Sequence, residues 1–153
     1  MEQAVEMLPE LSDGDVVYVE QPVRELEEWK ELVSYKEKSA PPLIADESIR
    51  DINDIDKVAK LVDGVNVKVR KLGGIAGAKW TIALARTRKL KILIGCMIES
   101  SIAVSAAAQL APLADFIDLD AALLIKNDPY EGVVLDGGVL RAPVSPGHGA
   151  RPR

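Results

Sequence analysis

The stretch "GVNVKVRKLGGIAGAKWTIALARTRKLKILIG", residues 64–95, contains a strand pattern, a helix pattern and a second strand pattern in succession. Alternating valines lead into Lys68. From Ile75 to Ala85, isoleucine and alanine recur at the spacing of one helix face, and "LKILIG" is a short apolar run. A strand, a helix and a strand in this order favour a βαβ unit, whose two strands are parallel.

Three further segments repeat this strand pattern. They are "VVYVEQPV" at 16–23, "PPLIADES" at 41–48 and "ADFIDLDA" at 114–121, with the last strand expected near 116–118. Amphipathic patterns separate the strands, and another helix is expected at the N-terminus, ending or interrupted near Pro9. The order indicates an α/β fold with parallel strands alternating with helices, either an open sheet or part of a (β/α) barrel.

The end of the chain follows another pattern. Val133 to Leu135 and Val139 to Leu140 flank Asp136-Gly137-Gly138, which predicts a hairpin. The final "VSPGHGARPR" is rich in turn residues, and we expect it to end loosely.

Composition restricts the classes of partner. The 153 residues carry a formal net charge of −5 and 4% aromatic residues, which argues against nucleic acid and anionic membranes as partners. No apolar stretch approaches the ~20 residues of a membrane span. The single cysteine, Cys96, excludes an internal disulfide, so a reducing, cytoplasmic location is expected.

Chemically capable side chains stand at the ends of the predicted strands. Glu20 and Asp46 are carboxylates that suit a hard cation such as Mg²⁺. Lys68 follows on the next strand, and beside a cation and partly desolvated its pKa should fall toward a catalytic range. Asp118 and Asp120, spaced by two, should point to one side of an extended strand and suit a cationic substrate group such as an α-ammonium.

Each of these residues also has a plain structural interpretation. Glu20 could cap the helix after Pro22, and Asp46 could be the N-cap of the helix that follows it. Lys68 could be a solvated strand end. Asp118 and Asp120 could be loop acids. Cys96 lies on an apolar strand, where a thiol is most often inert and buried.

Six motifs in order carry a resemblance to a known family. They are "YVEQP" at 18–22, "IADES" at 44–48, "VNVKVRKLGGI" at 65–75, "GCMIESS" at 95–101, "DLDAALLI" at 118–125 and "PGHG" at 146–149. This set resembles the muconate-lactonizing subgroup of the enolase superfamily, and within it the dipeptide epimerases of the L-Ala-D/L-Glu epimerase type. The resemblance implies strands 4–8 of the family's modified (β/α) TIM-type barrel.

The resemblance also implies roles for individual residues. Glu20 and Asp46 would bind Mg²⁺. Lys68 would be an acid/base in a 1,1-proton transfer at the α-carbon of a dipeptide, with an enediolate as the intermediate. Asp118 and Asp120 would bind the dipeptide's α-ammonium. Cys96 and its neighbour would line the substrate pocket.

Several parts of the family pattern have no counterpart in this sequence. The family uses a third metal carboxylate, a second lysine on the opposite face of the α-carbon, and an N-terminal capping domain. We therefore expect residues 1–126 to form a C-terminal half-barrel, 127–153 to form a hairpin and tail, and the capping domain to be absent. The isolated chain is expected to be inactive, and to self-associate or pair with a complementary N-terminal half.

Two alternatives remain open from the sequence. One is another activity of the same superfamily, o-succinylbenzoate synthase or muconate cycloisomerase, whose substrates lack the ammonium group that the Asp118 and Asp120 pair would bind. The other is a half-barrel without catalytic activity.

Overall fold

The computed structural model describes residues 1–153 and contains one sheet of five parallel strands. The strands pair in chain order. They are β1 (Val19–Glu20), β2 (Leu43–Ala45), β3 (Gly64–Lys68), β4 (Lys91–Gly95) and β5 (Phe116–Ile117). Every pairing in this sheet is parallel, so the predicted parallel α/β fold is confirmed.

Helices connect these strands. They are α1 (Glu2–Asp13), α2 (Leu26–Tyr35), α3 (Asp54–Val58), α4 (Ile75–Thr87) and α5 (Ser101–Ala108), with short 3₁₀ turns at Ala111–Leu113 and Ala121–Leu123. None of the helices combines the length and the apolar character that a membrane span requires.

One face of the sheet packs against the helices. Alternate residues of β2, β3 and β4 point to this face, among them Ala45, Val67 and Ile94, all without exposed surface. Trp29 of α2 and Ala85 of α4 are equally buried in the same cluster. Because parallel strands of this kind are covered by their crossover helices, the strands are apolar on this side throughout their length.

The intervening residues form the other face. Ile44 and Leu93 are fully buried but lie outside the helix-side cluster. Gly64 shares this face with them, because a Cβ there would lie 2.6 Å from Ile44 Cδ1 and 2.9 Å from Lys91 Cβ. The side-chain period of two therefore separates an apolar helix side from a second side that carries the polar groups.

The sheet curls toward this second face. The rings of Tyr18, just before β1, and Phe116 of β5 lie 5.0 Å apart between centroids, although β1 and β5 are the opposite edges of the sheet. The Lys91 ammonium stands 5.7 Å from the Phe116 ring centroid on the same side. Strand twist accumulated over five strands thus produces the predicted half-barrel.

Three helix and strand boundaries differ from the sequence prediction. Helix α1 runs through Pro9 to Asp13, because a proline removes one backbone hydrogen bond and the buried Leu8 still anchors the helix. The amphipathic pattern of residues 48–63, which predicts a helix after Asp46, forms a helix only at Asp54–Val58. The expected buried strand at 16–20 is limited to Val19–Glu20, and Val17 is exposed.

The C-terminal segment forms two small antiparallel sheets. The predicted hairpin is present as β7 (Val134–Asp136) and β8 (Val139–Arg141). The tail does not end loosely, because β9 (Arg151–Pro152) pairs with β6 (Tyr130–Glu131). The Arg151 guanidinium also bonds the Glu131 carboxylate, 3.0 Å from Nε to Oε2, and this pairing holds the tail in place.

The contact made by Gly64 yields a test of the fold. We expect Gly64→Ala to lower the free energy of unfolding by about 1–3 kcal/mol, because the new methyl group would overlap Ile44 and the Lys91 carbonyl oxygen, 2.7 Å away. Urea unfolding measures the change. Gly14→Ala is the matched control, since the nearest atom there is 3.4 Å away and φ is −96°. Equal stability of the two variants would contradict the packing described for the second face.

Candidate functional site

Three of the predicted site residues, Glu20, Asp46 and Lys68, meet at the carboxyl ends of the strands. We call these three residues together with Asn66 the carboxyl edge. Glu20 is the last residue of β1, Asp46 follows β2, and Lys68 is the last residue of β3. Because the strands are parallel and adjacent, their carboxyl ends lie side by side, as the sequence analysis expected.

Asp46 is the most connected of these groups. Its Oδ2 accepts a hydrogen bond from Lys68 Nζ at 2.6 Å, and its Oδ1 accepts one from Lys71 Nζ at 2.6 Å. The Lys71 ammonium also donates to the Asp46 backbone carbonyl at 3.0 Å. The Asp46 side chain is only 5% exposed, so both ion pairs are largely shielded from water and are stronger than surface pairs.

These ion pairs determine the protonation of Asp46 and Lys68. Burial alone would raise the pKa of Asp46, but hydrogen bonds from Lys68 and Lys71 bring that pKa below its ordinary value. Burial alone would lower the pKa of Lys68, but the hydrogen bond to Asp46 raises that pKa above its ordinary value. The sequence argument expected a lowered Lys68 pKa beside a cation, whereas here the contacting carboxylate reverses the direction.

Glu20 lies in a different electrostatic setting. Asn66 Nδ2 donates to Glu20 Oε1 at 2.6 Å, across the concave face from β3 to β1. Burial raises the pKa of Glu20, and the neighbouring Asp46 carboxylate raises it further, while the Asn66 hydrogen bond only partly offsets both. Glu20 is therefore a half-buried acid with no cationic group bonded to it.

Asn66 is itself tightly confined. It is 3% exposed, and its Oδ1 is buried without a hydrogen-bond partner. A Cβ on Gly95 would lie 2.4 Å from that oxygen, so only glycine at this position of β4 leaves room for the amide. The site thus contains an uncommitted buried oxygen, which is rare in folded proteins.

The plain capping interpretations of Glu20 and Asp46 are wrong in this structure. Helix α2 begins with a capping box formed by Glu25 and Glu28. The turn before α3 is capped by Asp54, whose Oδ2 accepts from the Arg50 and Asp51 backbone N–H groups. The carboxylates of Glu20 and Asp46 instead point to the carboxyl edge.

Asp118, Asp120 and Cys96 follow the carboxyl ends of the next two strands, β4 and β5, and lie outside the carboxyl edge. Asp118 follows β5 and Asp120 directly precedes the 3₁₀ turn Ala121–Leu123, so the extended strand expected to align the two acids ends before them. Both aspartates are exposed, with the buried Leu119 between them. The Cys96 thiol donates to the Asp118 backbone carbonyl at 3.5 Å, and burial, followed by the charges of Asp120 and Asp118, raises the pKa of that thiol.

Sequence reasoning missed three residues that the structure places in the site. Lys71 lies three residues after Lys68, in the turn that follows β3, and its Nζ donates to Asp46 Oδ1. Gln21 follows Glu20 directly, and its Oε1 accepts from the backbone N–H of Asp46 at 2.7 Å. Asn66 is two residues before Lys68 and therefore faces the same side of β3, which the strand period could have indicated.

The carboxyl edge fits a hard divalent cation. Glu20 and Asp46 offer oxygen ligands, and Mg²⁺ in proteins is commonly held by one or two carboxylates with the remaining positions taken by water or substrate. The raised pKa of Glu20 reports burial and like-charge repulsion, both of which a bound cation would relieve. No cluster of three or more His, Cys, Asp or Glu side chains that could hold a metal ion is present.

The chain matches the Enolase C-terminal domain-like family over residues 1–153. It is 45% identical over 140 residues to an L-Ala-D/L-amino acid epimerase of Pedosphaera parvula, covering 91% of this chain and 40% of that protein. It is 43% identical over 148 residues to a hydrophobic dipeptide epimerase of Flavobacteria bacterium, covering 97% of this chain and 42% of that protein.

A solved structure shares the architecture. A dipeptide epimerase of Enterococcus faecalis V583, in complex with Mg and the dipeptide L-Leu-L-Tyr, superposes with a TM-score of 0.86 at 33% identity. The match covers 97% of this chain and 44% of that one. The chain therefore spans less than half the length of the relatives it matches.

The electrostatics of Glu20 predict that its charge opposes folding. A carboxyl group whose pKa is raised in the folded state destabilises the fold above that pKa, and this penalty disappears as the pH falls below its ordinary value of 4.5. We expect Glu20→Gln to increase the free energy of unfolding at neutral pH, because the amide oxygen can still accept from Asn66. Urea unfolding at several pH values measures the gain, which should shrink on acidification.

Asp46→Asn is the contrasting variant. We expect it to destabilise the chain by about 3 kcal/mol, because it leaves the Lys68 and Lys71 ammonium groups facing each other without a counter-charge. The stabilisation by Asp46 is present above its ordinary pKa of 3.8 and is lost as the pH falls through its lower folded value. A stabilising Asp46→Asn, or a destabilising Glu20→Gln, would refute this account of the edge.

Proposed function

The chain belongs to the Enolase C-terminal domain-like family, and on that premise we propose that it carries the C-terminal part of the active site of a Mg²⁺-dependent dipeptide epimerase. The observation that carries the proposal is the Lys68–Asp46 contact, 2.6 Å between Nζ and Oδ2, with Glu20 at the neighbouring strand end. An acid/base group and two hard oxygen ligands on three adjacent strand ends are the groups that proton abstraction next to a carboxylate requires.

Lys68 is the proposed acid/base. In its neutral form it would take the proton from the α-carbon of the dipeptide's C-terminal residue, and as an ammonium it would return one. Its ion pair with Asp46 favours the ammonium in the structure described, so a cation held by the same carboxylate would lower the Lys68 pKa toward the working range.

Glu20 and Asp46 would hold Mg²⁺. When bound, Mg²⁺ supplies positive charge that stabilises the negative charge developing on the substrate carboxylate as the α-proton leaves. Asn66 would orient the Glu20 carboxylate through the 2.6 Å hydrogen bond from its Nδ2 to Glu20 Oε1. The L-Leu-L-Tyr complex of the similar Enterococcus faecalis protein contains Mg, which supports the choice of metal.

The residues that follow β4 and β5 would bind the amino-terminal end of the dipeptide. Asp118 and Asp120 are exposed acids, suited to the dipeptide's α-ammonium group. Cys96 would line the pocket between them and Lys68. Its raised thiol pKa argues against a nucleophilic role, because the thiolate is the reactive form.

We further propose that residues 1–126 and 127–153 are two structural parts. The C-terminal part forms its own small sheets and is attached to α5, where the Asp128 carboxylate accepts from Ser101 N at 2.7 Å. Val133 N donates to Ser105 Oγ at 3.0 Å in the same region. Self-association, or pairing with a complementary half that supplies the other lysine and the third carboxylate, stays a prediction.

A chimera tests the proposed activity. The part of the Enterococcus faecalis epimerase that precedes the matched region would be joined to this chain, and L-Leu-L-Tyr incubated in D₂O with Mg²⁺. We expect epimerisation with deuterium incorporation at the tyrosine α-carbon, and NMR monitors the loss of the α-proton signal. The 153-residue chain by itself is expected to show none, because it spans less than half the length of the epimerases it matches.

Variants of the chimera assign the roles. Lys68→Met should reduce epimerisation by about 10²–10⁴-fold, while α-proton exchange of one diastereomer continues through the base on the opposite face. Asp120→Asn should weaken dipeptide use, which separates an epimerase from a cycloisomerase whose substrate has no ammonium group. Asp115→Asn, an ion-paired aspartate at the amino end of β5, is the control and should retain activity. Full epimerisation by Lys68→Met would refute the proposal.

A further inference from the structure

The side chain of Gln21 uses its entire hydrogen-bonding capacity in one place. Its Nε2 donates to the Val23 carbonyl at 2.7 Å and to Ser48 Oγ at 2.8 Å. Its Oε1 accepts from the backbone N–H groups of Asp46 at 2.7 Å and Ser48 at 3.2 Å. A primary amide has two donor hydrogens and two acceptor lone pairs, so all four are engaged.

The backbone of Gln21 adopts an unusual conformation to do this. Its φ is +40°, in the left-handed region that non-glycine residues seldom occupy. Its backbone N–H remains bonded to the Ile44 carbonyl of β2 at 2.8 Å. Such strain persists only where the surroundings enforce it, and the side chain makes its four bonds from this conformation.

The network continues into the helix layer. Trp29 Nε1 donates to Ser48 Oγ at 3.2 Å, and Trp29 has no exposed surface. Ser48 Oγ therefore receives hydrogen bonds from Gln21 and Trp29 together. Residues 46–48 are thus bonded from two sides, by Gln21, which follows β1, and by Trp29 of α2.

We propose that Gln21 is a positioning residue, which sets the place of the Asp46 carboxylate relative to Glu20. Gln21 is covalently adjacent to Glu20, and its amide binds the backbone of Asp46 directly. One side chain thereby ties together the two strand ends that bear the carboxylates. By placing Asp46, Gln21 also determines where the Lys68 and Lys71 ammonium groups form their ion pairs.

The value of this positioning for catalysis rests on the proposed function, but the positioning itself does not. It concerns distances within this chain and can be measured without metal, substrate or turnover. Failure of the epimerase proposal would appear in the chimera assay and leave the present test intact.

Amide hydrogen exchange by NMR on the wild-type chain and three variants tests the proposal. Gln21→Met keeps the side-chain length and removes all four hydrogen bonds. Gln21→Glu keeps the two acceptor contacts but places an oxygen against the Val23 carbonyl. Ser48→Ala removes the hydroxyl group and leaves the bond from Asp46 N–H to Gln21 Oε1 in place, so it is the matched control.

We expect the Asp46 amide to be protected in the wild type and to exchange roughly five- to tenfold faster in Gln21→Met, the effect of one net hydrogen bond. Gln21→Glu should restore part of this protection, and Ser48→Ala should keep most of it. The Leu43 amide is the internal reference, because it donates to the Asp63 carboxylate at 2.8 Å at the other end of β2 and should not change.

The ¹⁵N signals of the Lys68 and Lys71 ammonium groups give the second readout. Ammonium protons are observed when an ion pair slows their exchange with water, and we expect both signals to shift or broaden in Gln21→Met while the chain remains folded. Unchanged lysine signals in Gln21→Met would overturn the proposal, leaving Gln21 a purely structural role. Equal acceleration at Leu43 and Asp46, or an unprotected Asp46 amide in the wild type, would overturn it as well, and the last result needs no variant.

Discussion

The Asp46 carboxylate, held between the ammonium groups of Lys68 and Lys71, is the interaction on which the carboxyl edge depends. A carboxylate with 5% of its side chain exposed is stable in ionised form only when cations compensate for lost water. The two lysines supply that compensation from the strand and loop next to it. Glu20 has no such partner, so the edge contains one compensated and one uncompensated acid.

This imbalance is the physical basis of the proposal that the edge binds a cation. Carboxyl groups whose pKa is raised by burial and by a neighbouring carboxylate cluster at functional sites. The curled sheet makes the arrangement possible, because contacts between alternate strands, such as Asn66 to Glu20, become short across the concave face. On that face Ile44 pairs in register with Glu20, and Leu93 pairs with Asn66, so apolar side chains lie beside the polar groups.

The sequence predicted the parallel α/β fold and the strand ends well, because periodicity and burial agree there. Strand β3 alternates strictly, and its inward residues become polar toward the end, from Gly64 to Asn66 to Lys68. The helix expected after β2 was overestimated, because the apolar spacing in residues 48–63 is also satisfied by non-helical residues on either side of α3, which bury Ile49 and Val62. Helical periodicity reports which side is buried and not where the helix ends.

The contacts within the site could not be predicted in the same way. Lys71, Gln21 and Asn66 bind residues 20 to 50 positions away in the sequence, and the geometry of those bonds depends on how the strands are staggered. The pairing of the tail with β6 was also invisible, since a two-residue strand at Arg151–Pro152 has no periodicity to detect.

The measurement that tests the central claim most directly is the location of a bound divalent ion by NMR line broadening with Mn²⁺, which accepts the same oxygen ligands as Mg²⁺. The account predicts that substoichiometric Mn²⁺ broadens the amide signals of Glu20, Asp46 and Lys68 and leaves those of Asp63 and Asp115 sharp. Excess Mg²⁺ should reverse the effect, and Asp46→Asn should abolish it. Broadening centred on the exposed acids at Asp118 and Asp120, or none at the carboxyl edge, would contradict the claim that Glu20 and Asp46 form the metal-binding part of the site.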